Sequence, residues 1–248
     1  MKKYLLIILL AAGISGLAYA ESLDEALGLL KTREDARALA IFEKIITTQP
    51  DNLQALWGKA EVKRRARNYK KAEAILDKIL KKDPGHAPSL ISLSYIRYKD
   101  DKLPGALQLI EQVLKIPALD RENQALCYMM LGSINSRRSK KGWLVGKIRY
   151  GARIKGYFLK AKSLATDLPE VHLGLGTFYL LAPKVVGGSL DKALEELELT
   201  VKLAPSFATA NARLAQAYKK RGNLEKYKIY LQRVKELDPE NEALNEEL

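Results

Sequence analysis

Few residues in this 248-residue chain have the chemistry for catalysis or metal binding, and those few are scattered: two histidines, His86 and His172, and one cysteine, Cys127. A metal site needs His, Cys or carboxylates clustered at ligand spacing. His86 follows Pro84-Gly85, Cys127 lies between Leu126 and Tyr128, and His172 is far from both in sequence. No metal is therefore expected, and the histidines read as surface or groove residues. There is no Gly-x-Ser-x-Gly elbow, and a Cys-His pair would need Cys127 exposed beside His86 or His172. Glu195-Glu196 and Glu246-Glu247 read as solvated helix faces, so no general base stands out, and neither catalysis nor a cofactor is expected. Gly187-Gly188 before Ser189 stands where a glycine loop can cradle phosphate at a helix N-terminus. It lacks the Lys-Ser/Thr of a P-loop, which makes a structural turn over 183–189 the preferred reading.

The strongest charge feature is a basic stretch from about 137 to 156. It carries Arg137, Arg138, Lys140, Lys141, Lys147, Arg149, Arg153 and Lys155 with no acidic residue, interleaved with Trp143 and Tyr150. That composition suits an anionic membrane surface or an acidic partner. The plainer alternative is that two flanking helices are simply longer here, with the lysines solvated and Trp143 packed on a neighbour.

The elements that position these residues follow from a period. Pro50 closes Phe42-Glu-Lys-Ile-Ile-Thr-Thr-Gln, and Pro84 closes Leu76-Asp-Lys-Ile-Leu-Lys-Lys-Asp thirty-four residues later. Pro205 and Pro239 repeat that interval. Ala38, Ala72 and Ala193 lie twelve residues before their closing prolines, and Ala106 eleven before Pro117. Small residues at such a point let two helices approach closely. Leu131-Gly132 and Leu175-Gly176, with Ala60, Ser94 and Ala215 elsewhere, mark the partner helices. Asn68-Tyr69, Asp100-Asp101 and Gly222-Asn223 mark turns, with Asn223 placed to cap the next helix. This pattern resembles the tetratricopeptide-repeat family across nearly all the chain after residue 20. Two places depart from it: Tyr227 occupies the alanine position of the last unit, and Trp57 stands one residue off the aromatic position.

The resemblance implies an all-α, right-handed solenoid of about six helix pairs, the first truncated, with the basic segment inserted in the fourth. A polar cap helix over 240–248 would end it. It also implies a concave groove built from first-helix positions: Trp57, Glu61 and Arg64, then Ile91, Tyr95 and Tyr98, then Met129 and Ser133. Leu173, Thr177, Ala212, Arg213, Gln216 and Lys219 complete it. Trp57 and Glu61 stand where some members carry the Lys and Asn of a carboxylate clamp, so this groove is aromatic and apolar instead. Trp57, Tyr95 and Tyr98 read equally as packing between units or as anchors for an amphipathic helix, an extended peptide or an apolar small molecule.

Residues 1–20 read as a secretory signal peptide: Lys2-Lys3, an apolar run from Tyr4 to Leu17, and Ala18-Tyr19-Ala20 before Glu21. The run is shorter than the ~20 residues that span a bilayer, and no cysteine for a lipid anchor stands near the cleavage site. A periplasmic or secreted protein is expected, its 21–248 forming the repeat domain, with Cys127 unable to form an internal disulfide. The formal charge of +13 would point to nucleic acid in a cytosolic protein. Export points instead to anionic membrane surfaces or acidic partners, and no nucleic acid is expected. The Pro-x-x-x-Gly-Gly turn after an interrupted repeat further resembles the exported TatT-type components of tripartite solute transporters over about 124–239. That likeness implies association with a solute-binding protein and a homo-oligomer around a pore. The two functional expectations are thus an exported scaffold in an envelope complex, and a transport accessory holding a small apolar or acidic solute.

Overall fold

The computed structural model describes residues 22–141 and 144–246, with their side chains except at 140–152 and 245. The expected signal peptide, Trp143, and the side chains of Lys140, Lys141, Lys147 and Arg149 lie outside the described residues. Among those described, regular structure is entirely helical. The chain divides into two compact units, one up to Pro84 and one from Gly85 on.

The first unit holds α1 (22–31), α2 (Asp35–Thr48), α3 (Leu53–Arg65) and α4 (Tyr69–Lys82). Ala26, Leu29, Leu30, Ala38, Phe42, Ile45, Ala55 and Val62 form its core. Phe42 is fully buried, and its ring fills the space that a side chain at Gly58 would need. A buried phenylalanine of this kind contributes roughly 1.5–3 kcal/mol. Asn52 and Asn68 cap α3 and α4 by accepting from the backbone N–H of Ala55 and Lys71.

The second unit holds α5 (Ala87–Lys99), α6 (Leu103–Val113), α7 (Arg121–Lys141), α8 (Leu144–Leu164), α9 (Pro169–Leu181), α10 (Leu190–Leu203), α11 (Ala208–Arg221) and α12 (Leu224–Leu237). Helices pair in sequence as α5/α6, α7/α8, α9/α10 and α11/α12. The first members also touch in succession, α5 on α7, α7 on α9 and α9 on α11, while α6, α8 and α10 each pack on the following first helix. The first helices thus form one layer and the second helices another. Small residues set the approach between layers: Ser94 Oγ donates to Ala106 O at 2.9 Å. A Cβ at Gly132 or Gly174 would strike the Phe158 ring, and one at Gly176 would strike Leu197.

The turns between paired helices repeat to the residue. Arg33, Arg67 and Asp101 take left-handed φ angles of 69°, 58° and 61°, and Gly222 takes 81°. The next residue then donates five positions back: Glu34 to Leu29, Asn68 to Lys63, Lys102 to Arg97 and Asn223 to Tyr218. This is a Schellman closure, which satisfies helix-end carbonyls that would otherwise lack partners.

Both interruptions have a structural form. The basic segment is absorbed by lengthening α7 and α8 to 21 residues each, against 11 to 14 for the other helices of this unit. The segment from Pro183 forms a 3-10 turn over Lys184–Val186, with Gly187 at φ 102° and Ser189 accepting from Lys192 N. Gly188 is required by space, because a Cβ there would lie 1.8 Å from Ala182 O. After α12 the chain makes a 3-10 turn, Glu242–Asn245, in place of the expected cap helix. Asn241 starts this turn by accepting from Ala243 N, and the turn packs on α11.

Candidate functional site

Of the groove positions in the first unit, Trp57 is half-buried against the α1–α3 core. Glu61 is 6% exposed and held between Arg64 and Arg65. Burial pushes the Glu61 carboxyl up, but the Arg64 and Arg65 guanidinium groups outweigh it and hold the group well below the usual carboxylate range. Arg65 also bonds Asp35 Oδ1 at 2.6 Å and Leu30 O at 2.7 Å, so this cluster ties three helices together.

In the second unit Ile91 is buried, whereas Tyr95 and Tyr98 are half-buried with ring centres 6.2 Å apart. The Arg137 guanidinium stacks 4.1 Å over the Tyr98 ring, and its Nη1 donates to Tyr98 O at 2.8 Å. Arg137, at the start of the basic segment, is therefore turned onto α5. Burial raises the Tyr98 phenol against the pull of Arg137, and the Glu246 carboxylate adds to the rise. Ser133 Oγ donates to Met129 O at 3.1 Å, and both residues are half-buried, as are Leu173 and Thr177. On α11, Ala212 and Arg213 are buried, Gln216 is half-buried and Lys219 is exposed beside the Tyr227 ring.

The turn after α12 lies against this same layer. Arg213 Nη2 pairs with Glu246 at 2.7 Å, and Gln216 Nε2 donates to Ala243 O at 2.6 Å and Glu246 O at 3.2 Å. Lys99, the last residue of α5, pairs with Glu242 of the turn. Within the first-helix layer, from here on the inner layer, Lys99 of α5 and Arg213 of α11 thus flank this turn, with Arg137 of α7 stacked on Tyr98. Nothing in the thirty-four-residue pattern marked Lys99 or Glu242.

The two interruptions meet in space. Lys155 of α8 lies against Gly187, and its Nζ is 5.9 Å from the Tyr179 ring centre, while Lys192 approaches the same ring at 5.8 Å. Arg138 is half-buried and Arg153 exposed.

Two readings of the sequence are corrected. His172 is buried at 1% exposure, not on a surface or groove, and Glu196 is buried at 6%, while its neighbour Glu195 is exposed. His172 Nδ1 lies 2.7 Å from Glu196 Oε2 and Nε2 lies 2.8 Å from Thr166 O. Lys162 Nζ pairs with the other oxygen, Oε1, at 2.6 Å. Burial pushes the Glu196 carboxyl up, but the bonds from His172 and Lys162 prevail and lower it. Glu196 had a signal available, since it falls on the apolar side of its helix beside Ala193, Leu197 and Thr200, all buried. Cys127 is fully buried, and burial together with the Asp120 carboxylate pushes its thiol up to about 12. Such a thiol is a poor nucleophile. Among the described residues there is no group of three His, Cys, Asp or Glu able to hold a metal ion, and no helix long and apolar enough to cross a membrane.

Tetratricopeptide-repeat family models match residues 36–94 and 213–241. No curated protein matches the chain. Among solved structures, the tetratricopeptide-repeat protein TTC0263 of Thermus thermophilus is 20% identical, with 78% of this chain and 95% of that one covered and a TM-score of 0.60. PilW, described as a widely conserved type IV pilus biogenesis factor, is 14% identical over 92% of this chain and 97% of its own, at a TM-score of 0.52. An IFIT1 monomeric mutant with m7Gppp-AAAA is 17% identical over 91% of this chain and 51% of its own, at 0.62. At these identities the likeness is one of fold, and it does not bear on the further resemblance to TatT-type components.

Proposed function

Since the chain carries tetratricopeptide repeats, we propose that it is a non-enzymatic scaffold that binds a protein or peptide partner on the first-helix layer of its second unit. The carrying observation is the make-up of that layer. Tyr95, Tyr98, Ser133, Thr177 and Gln216 stand half-buried on successive first helices, so each presents part of its side chain while the remainder packs. Half-buried aromatic and amide groups on rigid helices suit peptide recognition, because little side-chain freedom is lost on binding. Catalysis has no support in the buried groups: the Cys127 thiol is pushed up, and His172 is consumed by Glu196 and Thr166.

The test is site-specific photo-crosslinking in the native cell, with a benzophenone amino acid at Tyr95 or Gln216 and, as control, at Ile229 on the exposed face of α12. Adducts to a defined partner from the inner positions only are expected. Equal labelling from Ile229 would remove the assignment.

We further infer that the protein is exported by residues 1–20 and acts in an envelope complex. Fractionation with N-terminal sequencing checks this, and a mature chain beginning at Met1 would overturn it. The alternative, a transport accessory holding a small apolar or acidic solute, predicts a retained ligand or a defined oligomer in native mass spectrometry.

A further inference from the structure

The turn after α12 engages the inner layer through backbone, apolar and charged contacts, as a bound peptide would, and it does so inside one chain. Its backbone is read by Gln216, whose Nε2 donates to two carbonyls, Ala243 O and Glu246 O. Its small apolar residue, Ala243, is 3% exposed against Ala212 of α11 and Val234 of α12. Asn241, 4% exposed, donates through Nδ2 to Thr209 Oγ1 at 3.3 Å and Asp238 Oδ2 at 2.9 Å. Its two carboxylates go to different helices of the layer, Glu246 to Arg213 of α11 and Glu242 to Lys99 of α5, a residue 143 positions away in sequence. Backbone, small side chain, the Asn241 amide and two carboxylates four residues apart are all engaged.

The hold is light where it crosses the layer. The Glu242 and Glu246 side chains are 62% and 45% exposed, so solvent screens both ion pairs and each contributes little. The layer side is better prepared, with Arg213 at 9% and Lys99 at 16% side-chain exposure. Cations that are already packed, facing carboxylates that are half in water, are the arrangement of a receptor and a replaceable occupant.

We propose that the face which α5 and α11 contribute to the first-helix layer is a receptor for an acidic peptide segment, and that Asp238–Glu246 is a built-in competitor seated on it. The partner presents two carboxylates about four residues apart with a small apolar residue after the first, as Glu242-Ala243-Leu244-Asn245-Glu246 does. The proposal rests on the reading of the first-helix layer as the partner-binding face, and deepens it by giving the partner's chemistry and the means of its control. A tethered competitor acts at an effective concentration on the order of millimolar. An acidic segment in free solution must therefore bind in two places at once, or the turn must be released, before it is held firmly.

The experiment uses the full chain and a fluorescein-labelled synthetic peptide of residues 238–246, read by fluorescence anisotropy. E242Q/E246Q weakens the internal occupant without touching the layer, and is expected to bind the acidic peptide about threefold more tightly than the unmodified protein. Adding Lys99→Ala and Arg213→Ala to it is expected to return binding to the weak level, with circular dichroism unchanged. Hydrogen exchange at the Ala243 amide, which donates to Asn241, is expected to speed up when peptide is added to the unmodified protein. No gain in affinity in E242Q/E246Q overturns the proposal. Equal binding of a peptide with both glutamates replaced by glutamine also overturns it, yet leaves the layer as a peptide-binding face. If neither peptide binds the opened variant, while inner-layer photo-crosslinks still form, the partner is not acidic and the function stands without the competitor.

Discussion

His172 and Lys162 grip opposite oxygens of one buried carboxylate, Glu196, with Nδ1 at 2.7 Å from Oε2 and Nζ at 2.6 Å from Oε1. The other ring nitrogen of His172 faces the carbonyl of Thr166, which only accepts, so Nε2 must donate. Three helices are joined in this way: Lys162 comes from α8, His172 from α9 and Glu196 from α10. Glu196→Gln exchanges one of the two accepting oxygens for an amide NH2, so one of these buried contacts loses its acceptor. Glu196→Gln is expected to lower the unfolding free energy by about 3 kcal/mol, whereas Lys162→Ala, whose side chain is 35% exposed, costs less than about 1. Urea unfolding followed by circular dichroism measures both.

Acid should weaken both units through different carboxylates. Glu61 and Glu196 are each held below the usual carboxylate range in the folded protein. The folded state therefore binds fewer protons than the unfolded one there, so their stabilisation is complete above the ordinary range and disappears as pH falls through and below it. Glu61→Gln should flatten the acid dependence seen by Trp57 fluorescence in a W143F background, and leave that of the second unit unchanged. An equal effect on both units would contradict this.

Cys127 is expected to be inert while the protein is folded. Its thiol is fully buried and pushed up to about 12, so the thiolate that reacts is scarce at pH 8. Ellman's reagent should label the native protein at least a hundredfold more slowly than the urea-unfolded chain. Rapid labelling in buffer would mean that α7 opens locally.

Two glycines are needed for different reasons, and alanine separates them. At Gly58 a Cβ would come within 2.2 Å of the buried Phe42 ring, so Gly58→Ala is an overpacking change of about 1–3 kcal/mol. Phe42→Leu in the same chain should recover most of that loss. At Gly222 nothing lies within 4 Å, but φ is 81°, so Gly222→Ala costs about 1 kcal/mol through the backbone alone. No second-site change of side-chain size should rescue it. Thermal melts of the two singles and the double check this.

The sequence by itself determined the all-helical class, the thirty-four-residue period and several of the helix ends. Those features are local: a proline stops a helix, an asparagine caps one, and a small residue at one place in each pair lets two neighbouring helices close. Ser94 against Ala106 and Phe158 against Gly132 are the physical form of that last signal. The two interruptions were also visible, because they break a period. Of the two readings of the basic segment, longer flanking helices describe α7 and α8, while the turn of Arg137 onto Tyr98 was not visible. His172 was misread as exposed, and Glu196 as solvated, because a titratable pair looks polar until the helix carrying its partner is placed.

Tertiary structure alone decided the pairs that join distant helices. Lys99 with Glu242, Arg213 with Glu246, and Glu196 with both Lys162 and His172 depend on how successive helix pairs rotate on one another. That rotation is the sum of many small packing angles set by side-chain volumes in both layers. A periodic sequence specifies each step well and the accumulated turn poorly, so the residues that meet across the inner layer emerge only when the whole unit is folded.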